Sequence, residues 1–205
     1  PLTGFVVKVD ANGVPDATFG TNGVVLFANA YFHAIGVTDR GRILVAGEKR
    51  DAGVTTGIVI ALDPSGQFDS SFGAAADGIA ALPPGANGES GYLNALLVSA
   101  DGGAIVGGAY ESYGSGMGTD FSLARFGGDG LLDTTFANGG WRNFPLEGDA
   151  STGNSITRLL AEADGTIMFV GGYQDATTGS NVVLGRLLAN GDSDDTFGDA
   201  TTPGF

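Results

Sequence analysis

Cysteine is absent from this sequence, and with it any disulfide framework or thiolate-held metal site. Bases are scarce: Lys and Arg together number 9 against 23 Asp and Glu, a formal net charge of −14. Nucleic acid is therefore disfavoured as a partner, because phosphate contacts need Lys and Arg. Long apolar runs are missing too; none reaches the roughly 18 residues of a membrane-spanning helix. Histidine occurs once, at position 33, beside Tyr31 and Phe32. No Gly-x-Ser-x-Gly elbow, Walker loop or zinc spacing accompanies it, so no catalytic residue is assigned. Glutamate is rare among the acids, 5 against 18 aspartates, and Asp favours turns where Glu favours helix interiors.

What the chain has is glycine, 37 in 205 residues, and a real apolar fraction of 42% with 13 Phe. That fraction excludes a disordered acidic tail, and the glycines lack the three-residue period of collagen. The length fits one domain with a sizeable core. Pro1 is preceded by no initiator Met and followed by no basic-then-apolar leader, so the expectation is a processed product or a fragment of a longer chain.

Internal repetition organises these residues. The pattern Gly-x-x-Asp-x-[Ser/Thr]-Phe-[Gly/Ala] occurs four times, from Gly13, Gly66, Gly130 and Gly191. It places Asp16 and Phe19, Asp69 and Phe72, Asp133 and Phe136, and Asp194 and Phe197 at equal offsets, with Asp spacings of 53, 64 and 61. Eight residues before each Asp stand Lys8, Ala61, Arg125 and Arg186. A second pattern alternates with the first, at Asp39–Gly47, Asp101–Gly108 and Asp164–Gly172. Short runs rich in Val, Ile, Leu and Phe precede every copy and are bounded by Asp/Gly turns, which is the signature of strands and hairpins. A unit of about 60 residues then holds four antiparallel strands, the blade of a β-propeller. A parallel β-helix is the competing repeat fold, but its rungs are far shorter.

The stretch 121–140, Phe-Ser-Leu-Ala-Arg-Phe-Gly-Gly-Asp-Gly-Leu-Leu-Asp-Thr-Thr-Phe-Ala-Asn-Gly-Gly, resembles the bacterial delta-60 repeat. That resemblance implies a propeller and a place in large bacterial surface or secreted proteins, and it brings no activity with it. Ala61 departs from the pattern where a base is expected, and Ala137 where a Gly is expected.

Read in phase, 1–27 form a half blade, 28–82 and 88–144 a blade each, and 150–205 a blade lacking its fourth strand. The whole, 1–205, is then a single propeller domain or segment of about three and a half blades. Ring closure requires the two ends to join, a second chain, or the rest of a longer polypeptide.

Alternating hairpins sort the connections onto two faces. One carries the uniform Asp/Gly turns. The other carries the variable segments 48–56, 109–120 and 173–181 and the blade-to-blade connections, and variation marks the binding face of repeat proteins. Tyr110, Tyr113 and Tyr173, with Tyr92 at the edge, are the candidate ligand-binding residues there. The bases Lys8, Arg125 and Arg186 read as partners of the repeat aspartates or as a channel ring for an anion; the pairing is preferred because base and Asp recur together. Asp10–Asp16 and Asp192–Asp195 faintly resemble calcium loops, yet no bidentate Glu follows, so turn chemistry is preferred and no cofactor is expected. The expected function is a non-enzymatic extracellular, bacterial cell-surface or periplasmic module that binds a glycan or protein, or spaces a surface protein. The alternative is a propeller-type hydrolase or lyase with acids and His33 at the central channel. An acidic chain with no Cys and two Lys suits export.

Overall fold

The computed structural model describes residues 3–84, 91–112, 118–144, 153–175, 178–198 and 204–205. It is all-β, with no helix among the described residues. Strands β1 (Thr3–Val7) and β2 (Val24–Ala28) form a two-stranded sheet. The next sheet holds β3 (Ala30–Val37), β4 (Ile43–Asp51), β5 (Val54–Leu62) and β6 (Ile79–Ala81). The third holds β7 (Gly91–Val98), β8 (Ala104–Ser112), β9 (Gly118–Phe126) and β10 (Trp141–Phe144). The fourth holds β11 (Ser155–Ala161), β12 (Ile167–Asp175) and β13 (Gly179–Leu187). Each strand pairs antiparallel with its chain neighbour inside its sheet. These are propeller blades: β3, β7 and β11 lie innermost and pack against one another in series. The ring is not closed, since no described strand of the first sheet pairs with one of the last.

The strand-2 to strand-3 connections are hairpins more than loops. The segment 48–56, expected to be a loop, is mostly paired: Glu48 lies opposite Gly57, Lys49 opposite Thr56, Arg50 opposite Thr55 and Asp51 opposite Val54. Only Ala52 and Gly53 turn the chain, at φ of 50° and 86°, as a two-residue hairpin turn requires. β8 and β9 likewise run on to Ser112 and from Gly118. Backbone pairing does not need apolar side chains, so the strands outlast the hydrophobic runs that announced them.

Each innermost strand carries one extra residue at the same place: His33 in β3, Asn94 in β7 and Thr157 in β11. The positions equivalent to His33 are therefore Asn94 and Thr157, not Ala95 and Arg158 as simple alignment of the repeats suggests. These bulges explain the second repeat's glycines. A Cβ on Gly47, Gly108 or Gly171 would run into the backbone carbonyl of Tyr31, Tyr92 or Ser155 on the neighbouring strand. The glycines thus sit inside strands, where the bulge brings two backbones close, rather than at strand ends.

Blade packing uses the first repeat. Phe19, Phe72 and Phe136 are fully buried. Each lies against the repeat Gly of the following blade: a Cβ on Gly66 would come within 2.9 Å of Phe19, and on Gly130 or Gly191 within 2.8 Å of Phe72 or Phe136. A backbone bond accompanies each contact, from Gly20 N to Ser65 O (2.7 Å), Gly73 N to Asp129 O (2.8 Å) and Ala137 N to Asn190 O (2.6 Å). The apolar clusters follow suit. Val59 and Leu93 share one core across two blades, and Phe121 and Ile156 share another.

Gly13 holds the same turn position, at φ 80°, with nothing near its missing Cβ. Gly13→Ala should therefore cost only the strain of a left-handed Ala, about 1 kcal/mol. Gly130→Ala adds overpacking and should cost about 2–4 kcal/mol. Denaturant melts of the two variants check this; equal losses would show that the Gly–Phe contact does not hold the blades.

Candidate functional site

The repeat bases are the first constellation the fold assembles. Lys8 pairs with Asp16 (2.9 Å), Arg125 with Asp133 (2.6 Å) and Arg186 with Asp194 (2.7 Å). The hydroxyl two residues on completes each site: Thr18, Thr135 and Thr196 donate to the second oxygen of the same Asp at 2.6 Å. The bases also reach forward. Lys8 Nζ lies 3.5 Å from Pro64 O, and Arg125 donates to Ala189 O at 3.2 Å. Both carbonyls belong to the residue two before the next blade's repeat Gly. One cation therefore binds its own blade's turn and the next blade's turn together.

Ala61 removes this base from one blade, and Arg42 replaces it from the turn between β3 and β4. Its Nε donates to Asp69 at 2.7 Å, its second terminal nitrogen to Ser71 Oγ at 3.0 Å, and its first to Gly128 O at 2.6 Å and Gly102 O at 3.2 Å. Gly128 stands two before Gly130, so the forward contact is the same one. The guanidinium lies over Phe72 as Arg125 lies over Phe136. No repeat offset points to Arg42, because it stands in the turn just before β4, inside the second pattern, where the other two copies carry Gly103 and Thr166.

A cleft of about 830 Å³ opens beside Arg42, lined by Thr38, Asp39, Arg40, Asp63, Asp101 and neighbours. It lies on the face of the uniform turns. Two of its acids serve the turns: Asp63 accepts from the Ser65 and Gln67 amides, and Asp101 from the Gly103 and Gly128 amides. Among the described residues no group of three or more His, Cys, Asp or Glu is placed to hold a metal ion.

The opposite face carries a second constellation, at the base of the β4–β5 hairpin. Glu48 is buried, with one oxygen 2.9 Å from His33 Nε2 and the other 3.0 Å from an Arg50 terminal nitrogen. The Arg50 guanidinium lies 4.8 Å from the centre of the Tyr31 ring, while about half of its side chain stays exposed. Both oxygens of the buried acid are thus engaged, which orients Arg50 and ties His33.

The candidate tyrosines do not gather into one surface. Tyr110 is a core residue: its ring is buried 5.2 Å from Trp141 and its hydroxyl donates to Pro83 O at 3.1 Å. It belongs inside β8, which extends beyond the expected strand end. Tyr173 is half-buried against the cluster around Phe169, and Tyr92 is half-buried on β7. Tyr113 lies outside the described residues. Nearby on β9, burial pushes the Asp120 carboxyl above its ordinary value.

Arg42→Ala should cost about 2–4 kcal/mol, since it strands Asp69 and two carbonyls. Arg42→Ala combined with Ala61→Arg should recover at least half of that loss, because Ala61 holds the position of Arg125; a double variant no more stable than the single one refutes the exchange. Acid should weaken the same sites. The Thr18 hydroxyl and Lys8 hold the Asp16 carboxyl down to about 2. Asp69, Asp133 and Asp194 are also held low, chiefly by Ser71, Thr135 and Thr196. A folded value below the unfolded one means that this stability is complete above the unfolded value and lost as pH falls through the folded one. The melting temperature should stay level from neutrality to about pH 5 and fall between about pH 4 and pH 2; a level profile down to pH 2 would contradict the assignment.

Comparison with known proteins agrees with the architecture. No curated protein matches the chain. A family model described as a domain of unknown function (DUF5122) beta-propeller matches residues 41–72 and 100–136. Each matched segment runs from the turn before β4 or β8 to a repeat Phe, Phe72 or Phe136, and the match supports placing the chain among β-propeller-type repeats.

Proposed function

We propose that the chain is a delta-60-type module that works by recognition or spacing rather than catalysis, exported to the bacterial surface or beyond. Its ligand is a glycan or protein, taken on the face of the protruding hairpins. The stacked Arg50–Tyr31 pair carries this reading. Lys8, Arg42, Arg125 and Arg186 are committed to the repeat aspartates. Arg50 is instead half-exposed, laid over an aromatic ring and oriented by a buried acid. A guanidinium presents five donors in a planar fork that suits a carboxylate, and an adjacent aromatic suits the apolar face of a sugar ring. An acidic sugar, or the acidic side chains of a protein, supplies that combination. The buried Glu48 has both oxygens bonded, an arrangement suited to orienting neighbours and not to proton transfer.

An array of glycans rich in uronic and sialic acids, probed with the labelled chain, tests the reading. Arg50→Ala and Tyr31→Ala should each weaken binding by about tenfold or more without changing the melting profile by comparable measure. Binding unaffected by both substitutions would remove this face from consideration.

A further inference from the structure

The charged residues at the base of the β4–β5 hairpin are peculiar to one blade. By the register of the bulged pairs, Glu48 corresponds to Ala109 in β8 and Gly172 in β12, and His33 to Asn94 and Thr157. Those blades fold with no charge at either place. In β7 the Asn94 amide packs instead, donating to Ser155 Oγ of the next blade at 2.8 Å. Burying a carboxylate is costly unless it is paired, so the blade architecture does not itself call for Glu48. The face that carries Glu48 is turned toward the following blade. Glu48 lies opposite Gly57, where a Cβ would come within 3.1 Å of Leu93 in β7. The site therefore stands between two described blades.

Two bases meet the one acid. His33 Nε2 lies 2.9 Å from one Glu48 oxygen, and an Arg50 terminal nitrogen lies 3.0 Å from the other. Imidazole and guanidinium are thus neighbours across a single carboxylate, their side chains 38% and 52% exposed. An ionised carboxylate only accepts, so the neutral ring carries its proton on Nε2 and keeps a lone pair on Nδ1. Among the described residues no group bonds Nδ1. With the ring neutral, the charges of Glu48 and Arg50 cancel, and the Nδ1 lone pair repels an anionic oxygen. With the ring protonated, the site carries one net positive charge and Nδ1 becomes a donor. Histidine is the side chain that makes this change between about pH 5 and pH 8. The other charged residues of β4, Lys49 and Asp51, lie on its opposite face and pair with each other at 2.8 Å. Strands β1 and β7, which pack against β3, carry no charged side chain. Tyr31 and Tyr92 are the remaining titratable groups of β3 and β7.

We propose that His33 is the second cation of the Arg50–Tyr31 site and charges in mild acid, so that an anionic ligand is held more tightly there than at neutral pH. This role rests on the reading of the hairpin face as the binding face, and adds to it a condition for capture and release. The group held is the carboxylate of a uronic or sialic acid, which stays ionised across the range in which histidine titrates. Arg50 supplies the permanent charge and Tyr31 the surface beneath the sugar ring. His33 supplies the conditional charge and a further donor. Glu48 is the shared anchor that keeps the two bases side by side.

Calorimetric titration of the full chain with galacturonic and sialic acid oligomers, at about pH 7.5 and about pH 5.5 and constant low salt, tests this. Affinity should be about threefold or more higher in acid, the effect of one added charge a few ångströms away at near-solvent dielectric. His33→Gln keeps an N–H for Glu48 and cannot charge, so its ratio of affinities should fall to about one. His33 is the only histidine, so its ring resonances titrate alone. Saturating oligomer should move their midpoint upward, by about half a pH unit for a threefold ratio. A wild type that binds equally at both pH values overturns the proposal while leaving Arg50 and Tyr31 as the site. So does a midpoint unmoved by bound oligomer, or a His33→Gln variant that keeps the pH dependence. Oligomers that bind at neither pH overturn the hairpin face as the binding face, and this role with it. If His33→Gln does not fold, His33→Asn, the residue found at the equivalent place in β7, gives the same readout.

Discussion

A cation that holds an aspartate in its own blade and a turn carbonyl in the next joins two levels of this structure. The aspartate organises the turn, because the same carboxylate also accepts the amide and hydroxyl two residues on. The turn in turn fixes the Phe that fills the space beneath the cation. The following blade contributes only a backbone carbonyl and a glycine without a Cβ. Little sequence is thereby required at the receiving side, and much at the giving side. Removing water from a guanidinium is costly unless its donors are met, and carboxylate, hydroxyl and carbonyl meet them for Arg42 and Arg125. The acid excess is consistent with this economy of bases: most of the arginines and one of the two lysines are held within the fold.

The repeat was legible because its chemistry is local. Asp, Ser or Thr, Phe and Gly lie within eight residues, and the base lies one strand earlier at a fixed offset, so the periodicity exposes the turns, the strands and the ion pair together. Arg42 was not legible. It reaches the same point in space from the turn before β4, 27 residues before Asp69, and no sequence offset marks it. Tyr110 was misplaced for a related reason. The strand was ended where its apolar run ended, but pairing between β8 and β9 continues to Ser112 and Gly118, and the tyrosine is carried into the core. The bulges were equally hidden, although their trace was present in Gly47, Gly108 and Gly171. An invariant small residue in a strand reads as a strand end until the neighbouring backbone is known to approach it.

The two faces differ in what they do with polar groups. On the turn face, Asp63 and Asp101 accept from backbone amides, and the repeat aspartates accept from hydroxyls and bases. On the hairpin face, the antiparallel pairs project past the core, and their outer residues are released from packing. Glu48, His33, Arg50 and Tyr31 show how such a projection acquires chemistry. The bulge that displaces His33 from the regular alternation brings it to Glu48, and an irregularity needed by every blade is used for a distinct arrangement in one.

A series of blades in which each contacts only its neighbours behaves as a one-dimensional lattice. Its free energy is a sum of per-blade terms and nearest-neighbour couplings, and here the couplings are nearly identical, each a Gly–Phe contact, an amide–carbonyl bond and a cation. Opening at an end breaks one coupling, whereas opening in the middle breaks two. A blade flanked on both sides is thus held by two such couplings and gives way only if both do, so cooperativity along the series comes from the contacts between blades and not from any one core.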